Sequence, residues 1–276
     1  MLFQYLGTAA AEGVPALWCN CERCVRSREI GGRALRTRSQ AIVDGALLID
    51  FPADTLGHLY RNGLDLLNVR DCLITHTHGD HLYPEDFSML RAGYAHVPPD
   101  YRITFRGSEA VRDALAGVLA QPIREGSAAF EVIRPFEPAA VGRYTVTAYP
   151  AIHDPNAGPL FYGISDGERT ILYAHDTHFF HDDVWAYWRE QRPHFDFVSL
   201  DCTNACLPVR YIGHMGLPEN AEVRRRMIAE GYADERTVFV SNHFSHNGTN
   251  VVYDDFVPIA AREGLLVSYD GMKIEV

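Results

Sequence analysis

The chain has 276 residues, 47% of them hydrophobic, and 25 basic against 36 acidic side chains give a formal charge of −11. This length and apolar content supply a sizeable core. The acidic excess argues against a broad electrostatic grip on nucleic acid or an anionic membrane surface, and no stretch approaches the roughly 18 apolar residues of a membrane span.

In chain order, the opening "MLFQYLGTAA" has neither a positive leader region nor a cleavage site. It is read as a strand rather than a signal peptide, and a cytoplasmic location is expected. Cys19, Cys21 and Cys24 follow as C-x-C-x-x-C. In a reducing compartment such cysteines are thiols or metal ligands rather than a disulfide framework. A structural zinc on three sulfurs and one imidazole fits them better than an iron–sulfur cluster, which usually takes four cysteines. Cys72, Cys202 and Cys206 lie in apolar contexts that predict inert buried thiols.

Asp-Gly turns between β-rich runs predict three hairpins, at Asp44-Gly45, Asp166-Gly167 and Asp270-Gly271. Helices are predicted from Glu109 to Ala120 behind Ser108 as N-cap, from Pro218 to the stop at Gly231, and from Asp254 to Arg262. The densest basic run, Arg224 to Arg226, reads as a solvated helix face. Strands come first and then mix with helices, with no long linker, so residues 1–276 are read as a single domain.

Several apolar runs lead straight into a polar residue of metal-binding type. "DCLIT" precedes His76, "TVTAYPAI" precedes His153, "TILYAH" precedes Asp176, "FVSLD" ends on Asp201, and "TVFVSN" precedes His243. Loops at strand ends are where a rigid sheet can hold several ligands together. The densest is "THTHGDH", Thr75 to His81. His76 and His78 can point to one side because side chains alternate with period two. Gly79 lets the backbone turn and present Asp80 and His81 elsewhere, so the stretch can serve two metals. Imidazole and carboxylate suit zinc, iron, nickel or manganese. The isolated His58, His96 and His194 need no such role and are read as ordinary surface or core residues.

"THTHGDH" resembles the His-x-His-x-Asp-His signature of the metallo-β-lactamase-fold hydrolases, and His153, Asp176 and His243 follow in the order those enzymes use. The resemblance implies an α/β (α+β) fold, a four-layer α/β/β/α sandwich with the metals at the edge of its two sheets. It implies His76, His78 and His153 on one divalent ion, Asp80, His81 and His243 on the other, and Asp176 bridging them. "GTAAAEGVPALWCNCERC", "NHFSH" and "YDGMKIEV" narrow the resemblance to the PhnP-type phosphodiesterases of the carbon–phosphorus lyase pathway. In that group the fourth ligand of the cysteine zinc corresponds to His246. Residues 82–150 carry no motif that can be placed.

The expected cofactors are therefore two divalent metals (zinc, manganese or iron) and one structural zinc. A water between two metals has its pKa lowered to roughly 7, giving a hydroxide that can attack phosphorus. The expected substrate is a small anionic (cyclic) phosphodiester such as phosphoribosyl 1,2-cyclic phosphate. His214, between glycines in "GHMG", matches a region that supplies an acid/base histidine in PhnP-like proteins and is the candidate general acid. Asp80 is counted with it among the catalytic residues. His178 and His181 are expected to line or flank the pocket. Asn204 and His175 depart from the family pattern, and the arginines Arg91, Arg106 and Arg210 carry no context that marks a phosphate site.

Other activities use the same fold. "NHFSH" also resembles the ribonuclease Z enzymes, but the chain lacks their basic, glycine-rich arm. Ester, lactone or thioester hydrolysis remains an alternative, although a thioesterase would want a C-terminal helical domain where a hairpin is expected. A decayed, non-catalytic binding protein would have lost ligands, yet all seven positions are filled. A homodimer is compatible with this reading, and no membrane contact is expected.

Overall fold

The computed structural model describes residues 1–207 and 212–276. One sheet carries β1 (Leu2–Gly7), β2 (Gln40–Val43), β3 (Leu47–Ile49), β4 (Asp71–Leu73), β5 (Ile103–Gly107) and β6 (Ala128–Val132) in that spatial order. The other carries β7 (Pro138–Val141), β8 (Tyr144–Pro150), β9 (Leu160–Ser165), β10 (Thr170–Ala174), β11 (Phe197–Asp201), β12 (Val238–Asn242) and β13 (Leu266–Val267). The last strand, β14 (Lys273–Glu275), returns to pair antiparallel with β1. Each sheet passes from antiparallel to parallel pairing, at β3–β4 and at β10–β11. Strands such as β3 and β11 are buried throughout, so they read as unbroken apolar runs rather than alternations.

Phe3, Tyr5 and Ile49 of the first sheet meet Tyr162, Tyr173 and Phe197 of the second in a shared core, with the Phe3 and Phe197 rings 4.8 Å apart. In chain order the helices are α1 (Glu22–Ile30), α2 (Thr55–Asn62), α3 (Pro84–Phe87), α4 (Glu109–Glu125), α5 (Asp182–Gln191), α6 (Leu217–Glu230) and α7 (Tyr253–Arg262). Helix α4 turns Val111, Leu115 and Leu119, four residues apart, onto Ile103, Phe105 and Ala128 of the first sheet. Burying each of those aliphatic side chains stabilises the fold by about 1.5–3 kcal/mol. Trp185 and Trp188 of α5, Met227 of α6 and Phe256 of α7 cover the outer face of the second sheet. The result is a four-layer α/β/β/α sandwich.

Two of the expected hairpins form, β2–β3 at Asp44-Gly45 and β9–β10 at Asp166-Gly167. The third does not. Around Asp270-Gly271 the chain leaves β13 in one sheet and enters β14 in the other. Asp270 anchors this crossover by accepting from the Thr8 hydroxyl and from Thr37 N–H and Oγ1. The expected helices are present. Helix α4 starts at the Ser108 cap, whose Oγ accepts from Val111 N–H at 3.5 Å, but it runs past Ala120 to Glu125 before Gly126 ends it. The basic run on α6 is only partly solvated. Arg225 is exposed, whereas Arg226 lies 3.8 Å over the Trp185 ring and Arg224 over Phe239. Cys72 and Cys202 are buried as expected, while Cys206 is half-buried in a turn. Among the described residues no helix is long and apolar enough to cross a membrane.

Strands β8 and β10 are both antiparallel to β9 and so point the same way, as do β11 and β12, which run parallel to β10. Their following loops all leave one edge of the second sheet. The loop after β4 meets them there, with Leu160 N–H donating to Thr75 O at 2.9 Å and Tyr162 Oη–H to Ile74 O at 2.7 Å.

Candidate metal centre

The Thr75–His81 loop is tied at its base by Asp50, whose Oδ1 accepts from Thr75 N–H at 2.7 Å and from Thr75 Oγ1 at 2.9 Å. His78 O accepts from both His81 N–H and Leu82 N–H, which makes the turn. Gly79 has no left-handed backbone angle, and an added Cβ would meet nothing within 4 Å, so these hydrogen bonds rather than the glycine shape the loop.

The fold brings all seven sequence-predicted residues together in two adjoining groups. Nitrogens of His76, His78 and His153 lie within 4.8 Å of one another, and so do ligand atoms of Asp80, His81, Asp176 and His243. His78 Nδ1 is 3.1 Å from His153 Nε2. On the other side, His81 Nε2 is 3.2 Å from His243 Nε2, and Asp176 Oδ2 lies 2.5 Å and 3.1 Å from those two nitrogens. Asp176 also faces the first group, with Oδ2 3.9 Å from His76 Nε2 and Oδ1 3.8 Å from His153 Nε2. Asp50, Asp176 and His243 have positive φ of 67°, 48° and 63°. Such backbone is uncommon outside glycine and clusters at functional sites.

The donor set fits a cation. His81 Nδ1 sits 2.7 Å from Asp50 Oδ2, an atom that can only accept, so the proton belongs on Nδ1 and the Nε2 lone pair faces the cluster. His243 Nδ1 is held 2.9 Å from Thr203 Oγ1, which leaves its Nε2 facing the same point. Two imidazole lone pairs and two buried carboxylates thus converge, and the buried His76 Nε2 and Asp176 Oδ2 have no hydrogen-bond partner. Only protons or a metal ion can reconcile these acceptors. Burial opposes charge on His81, yet Asp80, Asp50 and Asp176 outweigh it and raise its pKa well above the ordinary value. His243 is raised in the same way, burial again being outweighed by Asp176. His76 goes the other way, lowered by burial and then by the charge of His81. Nitrogen and carboxylate donors of this kind suit zinc, manganese or iron.

A cavity of about 480 Å³ opens onto this cluster, lined by Glu12, His78, Asp80, His153, His214 and His243 among others. His214 Nδ1 lies 3.1 Å from Asp201 Oδ2 and 3.4 Å from Asp176 Oδ1. Burial opposes its protonation, but Asp201 outweighs that and raises the His214 pKa. His178 and His181 do not line this cavity. His181 borders a neighbouring, mostly apolar hollow that shares His153, and His178 lies in another beside Pro218.

The cysteines also converge. Ligand atoms of Cys19, Cys21, Cys24 and His246 lie within 4.8 Å of one another, with His246 Nδ1 3.4 Å from the Cys19 Sγ and 3.6 Å from the Cys21 Sγ. For Cys21 burial is outweighed by hydrogen bonds from His246 and the Cys24 backbone, which lower its pKa to about 6. Burial pushes Cys24 up to about 11.

Sequence reasoning missed Asp50 and gave no role to Asp201. Asp201 is fully buried and accepts from Thr203 N–H, Met215 N–H and Asp176 N–H as well as facing His214. The strand-then-carboxylate pattern that flagged Asp176 applies equally to "LLID" and Asp50. His175 turns away from the cavity, with Nε2 2.7 Å from Ser199 Oγ in the core. Asn204 sits beneath the His214 loop and donates to His214 O at 3.3 Å. Arg106 is engaged by Asp71 and Glu131, Arg91 donates to Ser88 O, and Arg210 lies outside the described residues.

Residues 48–240 match the family model described as a beta-lactamase superfamily domain. Among solved structures, the chain is similar to a diphosphatase of the PhnP family, with 21% identity, a TM-score of 0.74, and coverage of 100% of this chain and 97% of that one. Zn²⁺-bound PqqB from Methylobacterium extorquens has 17% identity and a TM-score of 0.72 over 100% of both chains. Human tRNase Z, short form, has 17% identity and a TM-score of 0.68 over 100% of this chain and 99% of that one. No curated protein sequence matches the chain. A family match over most of the chain, on a sandwich whose sheet edge gathers seven histidine and aspartate ligand atoms, places it in the beta-lactamase superfamily, as a metal-dependent hydrolase of the metallo-β-lactamase fold.

Proposed function

We propose that the chain is a phosphodiesterase acting on a small anionic, and in particular cyclic, phosphodiester such as phosphoribosyl 1,2-cyclic phosphate. The observation that carries this reading is the position of Asp176, between the two histidine groups and 3.4 Å from the His214 ring. His76, His78 and His153 would hold one divalent ion and Asp80, His81 and His243 the other, with Asp176 shared. Bound there, two such ions supply an activated water at neutral pH and neutralise charge on the phosphoryl oxygens.

The remaining steps belong to the protein. Asp50 and Thr203 orient the His81 and His243 rings. Asp80 lines the cavity and would accept the proton of the attacking water. Asp201 favours the protonated form of His214 against the effect of burial, and the imidazolium would donate its other N–H to the departing oxygen. A structural zinc on Cys19, Cys21, Cys24 and His246 would tie the N-terminal loop to the segment after β12. The core shared by the two sheets supports reading residues 1–276 as one domain. The diphosphatase and tRNase Z among the similar structures favour a phosphorus centre over a carbonyl.

The test is a panel of bis(p-nitrophenyl) phosphate, a ribose cyclic phosphodiester, an aryl ester and a lactone, each with and without chelator. Chelator-sensitive cleavage of the diesters, with the carbonyl substrates slow, is expected. Ester or lactone turnover without diester cleavage contradicts the phosphodiesterase reading.

A further inference from the structure

We propose that Glu12 is a positioning residue that couples the cysteine-rich centre to the wall of the catalytic cavity; this rests on reading Cys19, Cys21, Cys24 and His246 as a zinc site. One carboxylate oxygen bonds the residues on either side of His246 and faces the His246 ring between them. Glu12 Oε1 accepts from Ser245 Oγ–H at 3.1 Å and from Asn247 Nδ2–H at 3.1 Å, and it lies 3.7 Å from His246 Nε2. The opposite ring nitrogen, Nδ1, faces the Cys19 and Cys21 sulfurs. If Nδ1 presents its lone pair to a metal, Nε2 must carry the proton, and that proton points towards the side where Glu12 stands. The 3.7 Å spacing is longer than a direct hydrogen bond, so the effect is that of a nearby negative charge and of a segment pinned on both flanks.

The same residues reach the catalytic side. Glu12, Ser245 and Asn247 line the cavity that holds His214 and His243, and His243 is three residues from His246. Filling the cysteine site therefore sets the ring, the ring sets the clasp, and the clasp sets one wall of the substrate space. Sequence reading found both ends of this link, C-x-C-x-x-C and "NHFSH", but not the glutamate between them.

Glu12→Ala and Glu12→Gln in the full chain, loaded with cobalt(II), test the coupling. Thiolate-to-cobalt charge transfer reports the cysteine site alone, because the other cluster offers only nitrogen and oxygen. Glu12→Ala is expected to weaken cobalt and zinc at the thiolate site by about tenfold or more and to raise KM several-fold with kcat little changed. Glu12→Gln keeps an oxygen acceptor for Ser245 and Asn247 and should fall between Glu12→Ala and the unsubstituted protein. Unchanged thiolate-site affinity in Glu12→Ala overturns the proposal, and a shift in KM alone would make Glu12 a substrate contact instead. Absent thiolate absorption in the unsubstituted protein overturns it as well. Failure of diester cleavage leaves the cobalt readout intact and counts only against the phosphodiesterase reading.

Discussion

His81 and Asp50 are both completely buried, and the imidazole Nδ1 lies 2.7 Å from the carboxylate Oδ2. This pair decides which face His81 turns to the cluster, and the same carboxylate holds Thr75 N–H and Oγ1 at the root of the loop. Asp50→Ala should lower metal affinity by about 10–100-fold. It should also destabilise the fold by about 1–3 kcal/mol through the unpaired Thr75 N–H. Chelator titration and thermal unfolding read the two effects separately; unchanged metal affinity would remove Asp50 from the account.

His214 and Asp201 make a prediction about leaving groups. A general acid matters most when the departing oxygen is basic. His214→Ala should therefore slow cleavage of alkyl diesters by about 10²–10⁴-fold, with a much smaller loss for p-nitrophenyl esters, whose leaving group needs no proton. Asp201→Asn should move in the same direction. Equal losses across the leaving-group series would point to positioning rather than proton donation.

Removing metal should cost stability. With the cations gone, the buried carboxylates and imidazoles of the cluster must be satisfied by protons alone. Adding zinc or manganese to chelator-treated protein is expected to raise Tm, by an amount equivalent to about 2.7 kcal/mol per site when free metal is about 100-fold above Kd. A Tm insensitive to metal would contradict a cluster built around cations.

Gly7 tests the frame beneath the site. A Cβ there would stand 1.9 Å from Arg38 O and 2.9 Å from the His58 ring, so β1 could not keep its place beside the segment that leads into β2. Gly7→Ala should destabilise the protein by about 1–3 kcal/mol, read by chemical denaturation. A neutral result would mean that the Arg38 carbonyl can move aside freely.

Much of the site is legible in the sequence because its chemistry is dense and local. "THTHGDH" packs four ligand-type side chains into seven residues, and the remaining three each follow an apolar strand. Asp50 and Asp201 are harder to see. Each acts on a residue 13 to 31 positions away, Asp50 on His81 and Asp201 on His214, and a lone aspartate at a strand end is commonplace. The third hairpin failed for a related reason. Asp-Gly specifies a turn, but whether the next strand pairs with its neighbour or crosses to the other sheet depends on what anchors Asp270, namely Thr8 and Thr37 from the far end of the chain.

The most direct test of the central claim is the metal content of the purified protein by elemental analysis, after growth and purification in metal-replete medium. A dinuclear cluster plus a cysteine site predicts about three divalent ions per chain, falling to about one when His76, His78, Asp80 and His81 are replaced together. One ion or none in the unsubstituted protein would contradict the two-metal centre.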